Sequence, residues 1–123
     1  MRCRGIRGAI TVDSNTSRDI LAASRELLTA VISANAVQPE DVAGIFFSTT
    51  PDLNADFPAK AAREMGFTNV ALLCGHEMAV PGSLPACLRI LLLVNTEKRS
   101  DEIVHVYLKG AAALRPDIEY NSR

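Results

Sequence analysis

The chain has 123 residues, the size of one ordinary domain. Hydrophobic residues make up 48% and charged residues 22%, which excludes disordered and low-complexity classes. The net charge of −1 excludes a protein held on nucleic acid by a basic face. The richest apolar run, Leu88 to Val94, is broken by Arg89 and is far too short to cross a bilayer, so no membrane partner is expected.

No apolar leader follows Met1-Arg2-Cys3-Arg4-Gly5, so no signal peptide is read. Three cysteines (Cys3, Cys74, Cys87) without repeated spacing read as reduced thiols of a cytoplasmic protein. The cations are skewed in kind, with ten arginines against three lysines. Arginine suits two-point recognition of carboxylates or phosphates, although the count alone fits a compositional bias.

Residues 4–12 alternate as a strand, with Ile6, Gly8, Ile10 and Val12 on one face and Arg7, Ala9 and Thr11 on the other. Its glycines point to a bulge or a close backbone approach. Residues 16–35 form the one long helix. Thr16 with Asp19 reads as a capping-box variant, Ile20, Leu21, Leu27, Leu28, Val31 and Ile32 form the apolar stripe, and Asn35 is the stop. Pro39-Glu40-Asp41 is a helical turn, and residues 45–50 are a strand ended by Pro51-Asp52. Pro58 to Met65 is a short helix whose Lys60 and Arg63 share a face. Val70 to Leu73 is a short strand, and Pro81-Gly82-Ser83 is a turn. Leu88 to Asn95 is assigned as a strand, as is Ile103 to Leu108.

Both faces of the Leu88–Asn95 strand are apolar: Ile90, Leu92 and Val94 on one, Leu91 and Leu93 on the other. Such a strand is covered on both sides. One long helix covers only one face of a four- or five-stranded sheet. The other face calls for a second subunit, so a homo-oligomer is expected.

The soft ligands Cys74, His76, Cys87 and His105 match no zinc spacing, and no metal site is assigned. No Gly-x-Ser-x-Gly elbow is present, and Cys74 has no evident base except His76. Gly5-Ile6-Arg7-Gly8 lacks the third glycine and the helix of a phosphate cradle. What stands out is charge in strands that read as buried: Arg7 and Arg89. A buried cation is costly unless an anion meets it. Tyr107, Glu77, Lys60 and Arg63 are the other polar candidates. Two readings stand side by side. One is an anion pocket; the other is a structural ion pair of Arg7 with Glu77, with Lys60 and Arg63 merely solvated.

Three stretches resemble the AroH class of monofunctional chorismate mutases: Arg4-Gly5-Ile6-Arg7-Gly8-Ala9-Ile10-Thr11; Thr50-Pro51-Asp52-Leu53 through Phe57-Pro58-Ala59-Lys60-Ala61 to Arg63; and His105-Val106-Tyr107-Leu108 through Leu114-Arg115-Pro116-Asp117. Cys74 with Glu77-Met78, and Cys87 with Arg89, fall between them in the matching order. The resemblance covers essentially the whole chain as a single domain, 1–123. It implies an α+β fold, a mixed sheet with one long helix on one face, closed as a trimeric pseudo-barrel. It further implies the rearrangement of chorismate, a dianion, to prephenate at sites between subunits, with no cofactor. By the same resemblance Arg7, Cys74, Glu77, Arg89 and Tyr107 come from one subunit, Leu73 and Cys74 offer backbone contacts to substrate, and Phe57, Ala59, Lys60 and Arg63 come from the neighbour. Leu114 and Arg115 sit near the mouth. Leu73, Gly75 and His76 depart from the family's pattern, and the tail after Asp117 is short.

That reaction moves no proton and forms no covalent intermediate. It requires a held geometry and stabilised charge. On this footing Arg89 donates to the ether oxygen, and Glu77, steadied by Cys74, faces the ring hydroxyl and the ring's developing positive charge. Arg7 and Tyr107 hold a carboxylate, Arg63 and Lys60 attract the dianion, and Phe57 and Leu114 exclude water. Two rivals are a RidA-like trimeric imine deaminase, which also uses an interface arginine, and a metabolite-binding trimer without turnover.

Overall fold

A computed structural model describes residues 1–114, so Arg115 and the rest of the C-terminal motif lie outside the described residues. The strands are β1 (Arg2–Thr11), β2 (Val42–Thr49), β3 (Ala71–His76), β4 (Cys87–Thr96) and β5 (Val106–Leu108). The helices are α1 (Ser17–Asn35) and α2 (Ala59–Glu64), with short 3-10 turns at Pro39–Asp41, Ser100–Glu102 and Lys109–Leu114. The strands form one mixed sheet in the order β3-β2-β4-β1-β5. β4 runs antiparallel to both β1 and β2, while β1 with β5 and β2 with β3 are parallel pairs. This is the expected α+β architecture with one long helix on one face. No helix among the described residues is long and apolar enough to cross a membrane.

Residues paired across neighbouring strands share a face. One face carries the rows Leu72–Ile45–Leu92–Ile6 and Cys74–Phe47–Ile90–Gly8–Val106. It packs on the α1 stripe, where Ile20, Leu27, Leu28 and Val31 are buried. Gly8 makes the close approach that its sequence position implies. A Cβ there would lie 3.1 Å from Leu27 and 3.2 Å from Val31. Of the two alternatives for the β1 glycines the close approach holds, and the pairing irregularity falls instead in β2 between Val42 and Gly44.

The helix ends fall where expected, and the structure adds their chemistry. Thr16 caps α1 by accepting from the Asp19 N–H at 3.2 Å, but the box stays half made, because the Asp19 carboxylate takes the Ser14 hydroxyl at 2.6 Å instead. At the far end Ala36, not Asn35, takes the left-handed conformation, with φ of 51°. Asn35 is buried. Its amide donates to the carbonyls of Val31 and Val104 at 2.9 Å each, and its oxygen accepts from the Val104 N–H at 2.8 Å.

Those bonds explain why the strand expected from Ile103 shrinks to Val106–Leu108: a side chain, not a neighbouring strand, satisfies the Val104 backbone. The strand expected at Val70–Leu73 instead runs Ala71–His76, because pairing with β2 continues to Thr49↔His76.

Candidate active site

The sheet face turned away from α1 carries the rows Leu73–Phe46–Leu91–Arg7 and Gly75–Ser48–Arg89–Ala9–Tyr107. Alternation therefore sets Arg7 and Arg89 on one surface, one row apart. A cavity of about 360 Å³ opens there, lined by Arg7, Phe46, Ser48, Arg89, Leu91, Tyr107 and Leu114. Glu77, just past β3, reaches its edge. Its N–H donates to the Thr49 carbonyl at 2.8 Å, and its Oε2 lies 3.6 Å from Arg89 Nε. The ion pair thus joins Glu77 to Arg89, not to Arg7 as the structural reading had it. Arg7 is exposed, and its backbone N–H donates to His105 Nδ1 at 2.9 Å.

Arg89 Nε is shielded from solvent and makes no hydrogen bond among the described residues. A buried donor left unmade is costly, and the nearby Glu77 carboxylate offsets part of that cost. The Arg89 side chain as a whole is 40% exposed, so an incoming anion can meet it from the cavity. Cys87, two residues earlier on the same face, is buried with Ala9 and Ala111. Burial pushes its thiol above the ordinary value of 9.0, against the opposing charge of Arg89. It is a poor nucleophile in that state.

A second group gathers elsewhere. Phe57, Pro58, Asp56, Cys74, Thr49 and His76 line a separate cavity of about 380 Å³. Cys74 and Thr49 belong to the rows facing α1, so strand parity parts Cys74 from Arg89. Within a single chain Cys74 thus lines the Phe57-side cavity.

Phe57 is 68% exposed at the start of α2. Its loop is tied to the head of α1. Asn15 accepts from the N–H groups of Asn54 and Ala55 at 2.9 and 3.0 Å, and the Ser17 hydroxyl donates to Asp56 at 2.6 Å. The Ser17 and Phe57 bonds hold the Asp56 carboxyl below its ordinary value. Lys60 is not simply solvated: it pairs with Asp56 at 3.7 Å. Arg63 is exposed, Ala59 is buried within α2, and Leu73 is 60% exposed on the edge strand β3.

Three residues went unnoticed in the sequence. Ser48 and Phe46 line the arginine cavity, and Asp56 anchors the Phe57 loop. The alternation of β2 carried a signal for the first two, since Phe46 and Ser48 share the face opposite Ile45 and Phe47. Asp56 offered none, because its partner lies 39 residues away.

Within one chain, then, the candidates divide into an arginine-bearing half and a Phe57-bearing half. The model of the family described as chorismate mutase type I matches residues 3–118. A chorismate mutase AroH from Thermus thermophilus is 50% identical over 117 residues, covering 94% of this chain and 96% of that protein. The chorismate mutase AroH of Bacillus subtilis is 46% identical over 119 residues, covering 96% and 94%. A solved chorismate mutase from Clostridium thermocellum superposes with a TM-score of 0.88 at 46% identity, over 89% of this chain and 98% of that one. These relatives leave the imine deaminase and the non-catalytic trimer without support. The chain belongs to the type I chorismate mutase family.

Proposed function

We infer that the chain is a chorismate mutase, an isomerase of aromatic amino-acid biosynthesis that rearranges chorismate to prephenate. One C–O bond breaks as one C–C bond forms, and no proton changes place. The protein contributes a compact substrate geometry and fixed charges aimed where charge develops.

The observation that carries the residue assignment is the partly exposed Arg89 side chain beside Glu77 in a cavity that also holds Arg7 and Tyr107. In the reaction Arg89 donates to the ether oxygen as it gains negative charge. Glu77 accepts from the ring hydroxyl and faces the ring's positive charge. Arg7 and Tyr107 bind a carboxylate, Leu114 shapes the cavity, and Arg115, outside the described residues, is assigned to substrate binding by family resemblance alone. Leu73 and Cys74 contribute backbone groups along the open edge of β3.

The chain acts as one domain within a homotrimer, with Phe57, Ala59, Lys60 and Arg63 of a neighbouring subunit completing each site. Support comes from the uncovered face, where Phe46 is 44% and Leu91 38% exposed beside Arg7. A second copy would cover this apolar row and bring a Phe57 half to an arginine half. Three reduced thiols and a charge of −1 fit a cytoplasmic enzyme that binds neither nucleic acid nor membrane.

Incubation with chorismate tests the activity. Loss of the substrate's ultraviolet absorbance with matching formation of prephenate is the expected result, and an unchanged spectrum over hours at micromolar enzyme overturns it.

A further inference from the structure

The Thr50-Pro51-Asp52 motif lines neither cavity. Its side chains instead grip the entry of β4, the strand that carries Arg89. The Thr50 N–H donates to the Cys87 carbonyl at 3.0 Å, and the Cys87 N–H donates back to Thr50 Oγ1 at 3.0 Å. The Thr50 hydroxyl passes its own hydrogen to Asp52 Oδ1. Asp52 Oδ2 accepts from the Ala86 N–H at 2.9 Å. Ala86 has φ of 50°, a left-handed conformation that residues with a Cβ rarely adopt. Its carbonyl accepts from the Val12 N–H at 2.8 Å. Such a backbone persists only where the surroundings hold it, and here the Asp52 carboxylate holds the Ala86 N–H while Val12 holds its carbonyl. Arg89 follows three residues later, on the same face as Cys87.

We propose that Asp52 is a positioning residue for Arg89: with Thr50 it clasps Ala86 and Cys87 and so sets the direction in which the guanidinium enters the cavity. The inference rests on the reading of Arg89 as the donor to the reacting oxygen. Both oxygens of the carboxylate are used, one per partner. An asparagine keeps one acceptor and turns an N–H₂ toward a donor, so it makes half the clasp. A glycine at position 86 adopts positive φ without help and lessens the need for it.

Steady-state kinetics on chorismate, run beside thermal melts, test this in wild type, Asp52→Ala, Asp52→Asn and Asp52→Ala/Ala86→Gly. Small displacements of a reacting group cost large factors in rate, so Asp52→Ala should lower kcat by roughly 10- to 100-fold with a much smaller change in KM. Asp52→Asn should fall between, and Ala86→Gly should restore most of the lost kcat. A folded Asp52→Ala enzyme with wild-type kcat and only a lower Tm overturns the proposal. So does a double variant that regains Tm but not kcat. If Asp52→Ala does not fold, wild-type kcat in Asp52→Asn overturns it equally. Wild-type enzyme inert toward chorismate sinks the underlying reading instead, before any variant is compared.

Discussion

Arg89 and Glu77 face each other with Nε and Oε2 3.6 Å apart, near enough to attract and too far to hydrogen-bond. The carboxylate offsets the cost of shielding Nε without taking up the exposed remainder of the guanidinium. Bound substrate then finds the exposed part of the guanidinium on one side and an acceptor on the other. A tighter pair would have spent both groups on each other.

Assembly is the first consequence. The row Leu73–Phe46–Leu91–Arg7 leaves large apolar groups in water in an isolated chain. Sedimentation at micromolar concentration should give a multiple of 13.2 kDa, three by the present account. Phe46→Asp should shift the population toward single chains and lower activity with it. A wild-type species of 13.2 kDa that is fully active contradicts shared sites.

Arg63 is exposed on α2 and carries charge at the rim. A rim cation attracts the dianion equally in its ground and transition states. Arg63→Ala should therefore raise KM, more so at low salt, and leave kcat within about twofold. A large fall in kcat at unchanged KM would move Arg63 into the chemistry.

Much of this was legible in the sequence. Periodicity located α1, and alternation in β1 and β4 separated the helix-packed face from the other. Arg7 and Arg89 stood out because charge interrupts apolar strands. What local pattern does not carry is pairing over long separations. Nothing near Val104 announces that Asn35, 69 residues away, satisfies its backbone and shortens β5. The side taken by Cys74 depends on a one-residue parity in β3, set by its register with Phe47. The use of Asp52 is invisible without Ala86, 34 residues downstream.

Core packing gives a prediction independent of function. A methyl added at Gly8 would meet Leu27, Val31 and Ile90 at 3.1 to 3.3 Å. Gly8→Ala should cost about 1–3 kcal/mol, by overpacking between β1 and α1. Urea denaturation checks this. An unchanged midpoint would mean that α1 moves aside at little cost.

Acid stability follows from three carboxylates. Hydroxyl donors hold each below its ordinary value of 3.8: Ser14 at Asp19, Thr50 at Asp52 and Ser17 at Asp56. A group whose pKa is lower folded than unfolded stabilises the fold above the unfolded value. That contribution fades as pH falls through the unfolded and then the folded value. Stability should therefore decline below about pH 4, and Asp56→Asn should shallow the decline. Identical acid titrations of wild type and Asp56→Asn would contradict this.

The central claim is that a guanidinium fixed in advance at position 89 stabilises the charge that builds on the breaking C–O bond. The most direct measurement is kcat of Arg89→Ala on chorismate, in a variant whose assembly and Tm match wild type. Loss of one preorganised charged donor should lower kcat by on the order of 10²–10³ or more, and Arg89→Lys should recover little of it. A kcat within a few fold of wild type in Arg89→Ala would contradict the account.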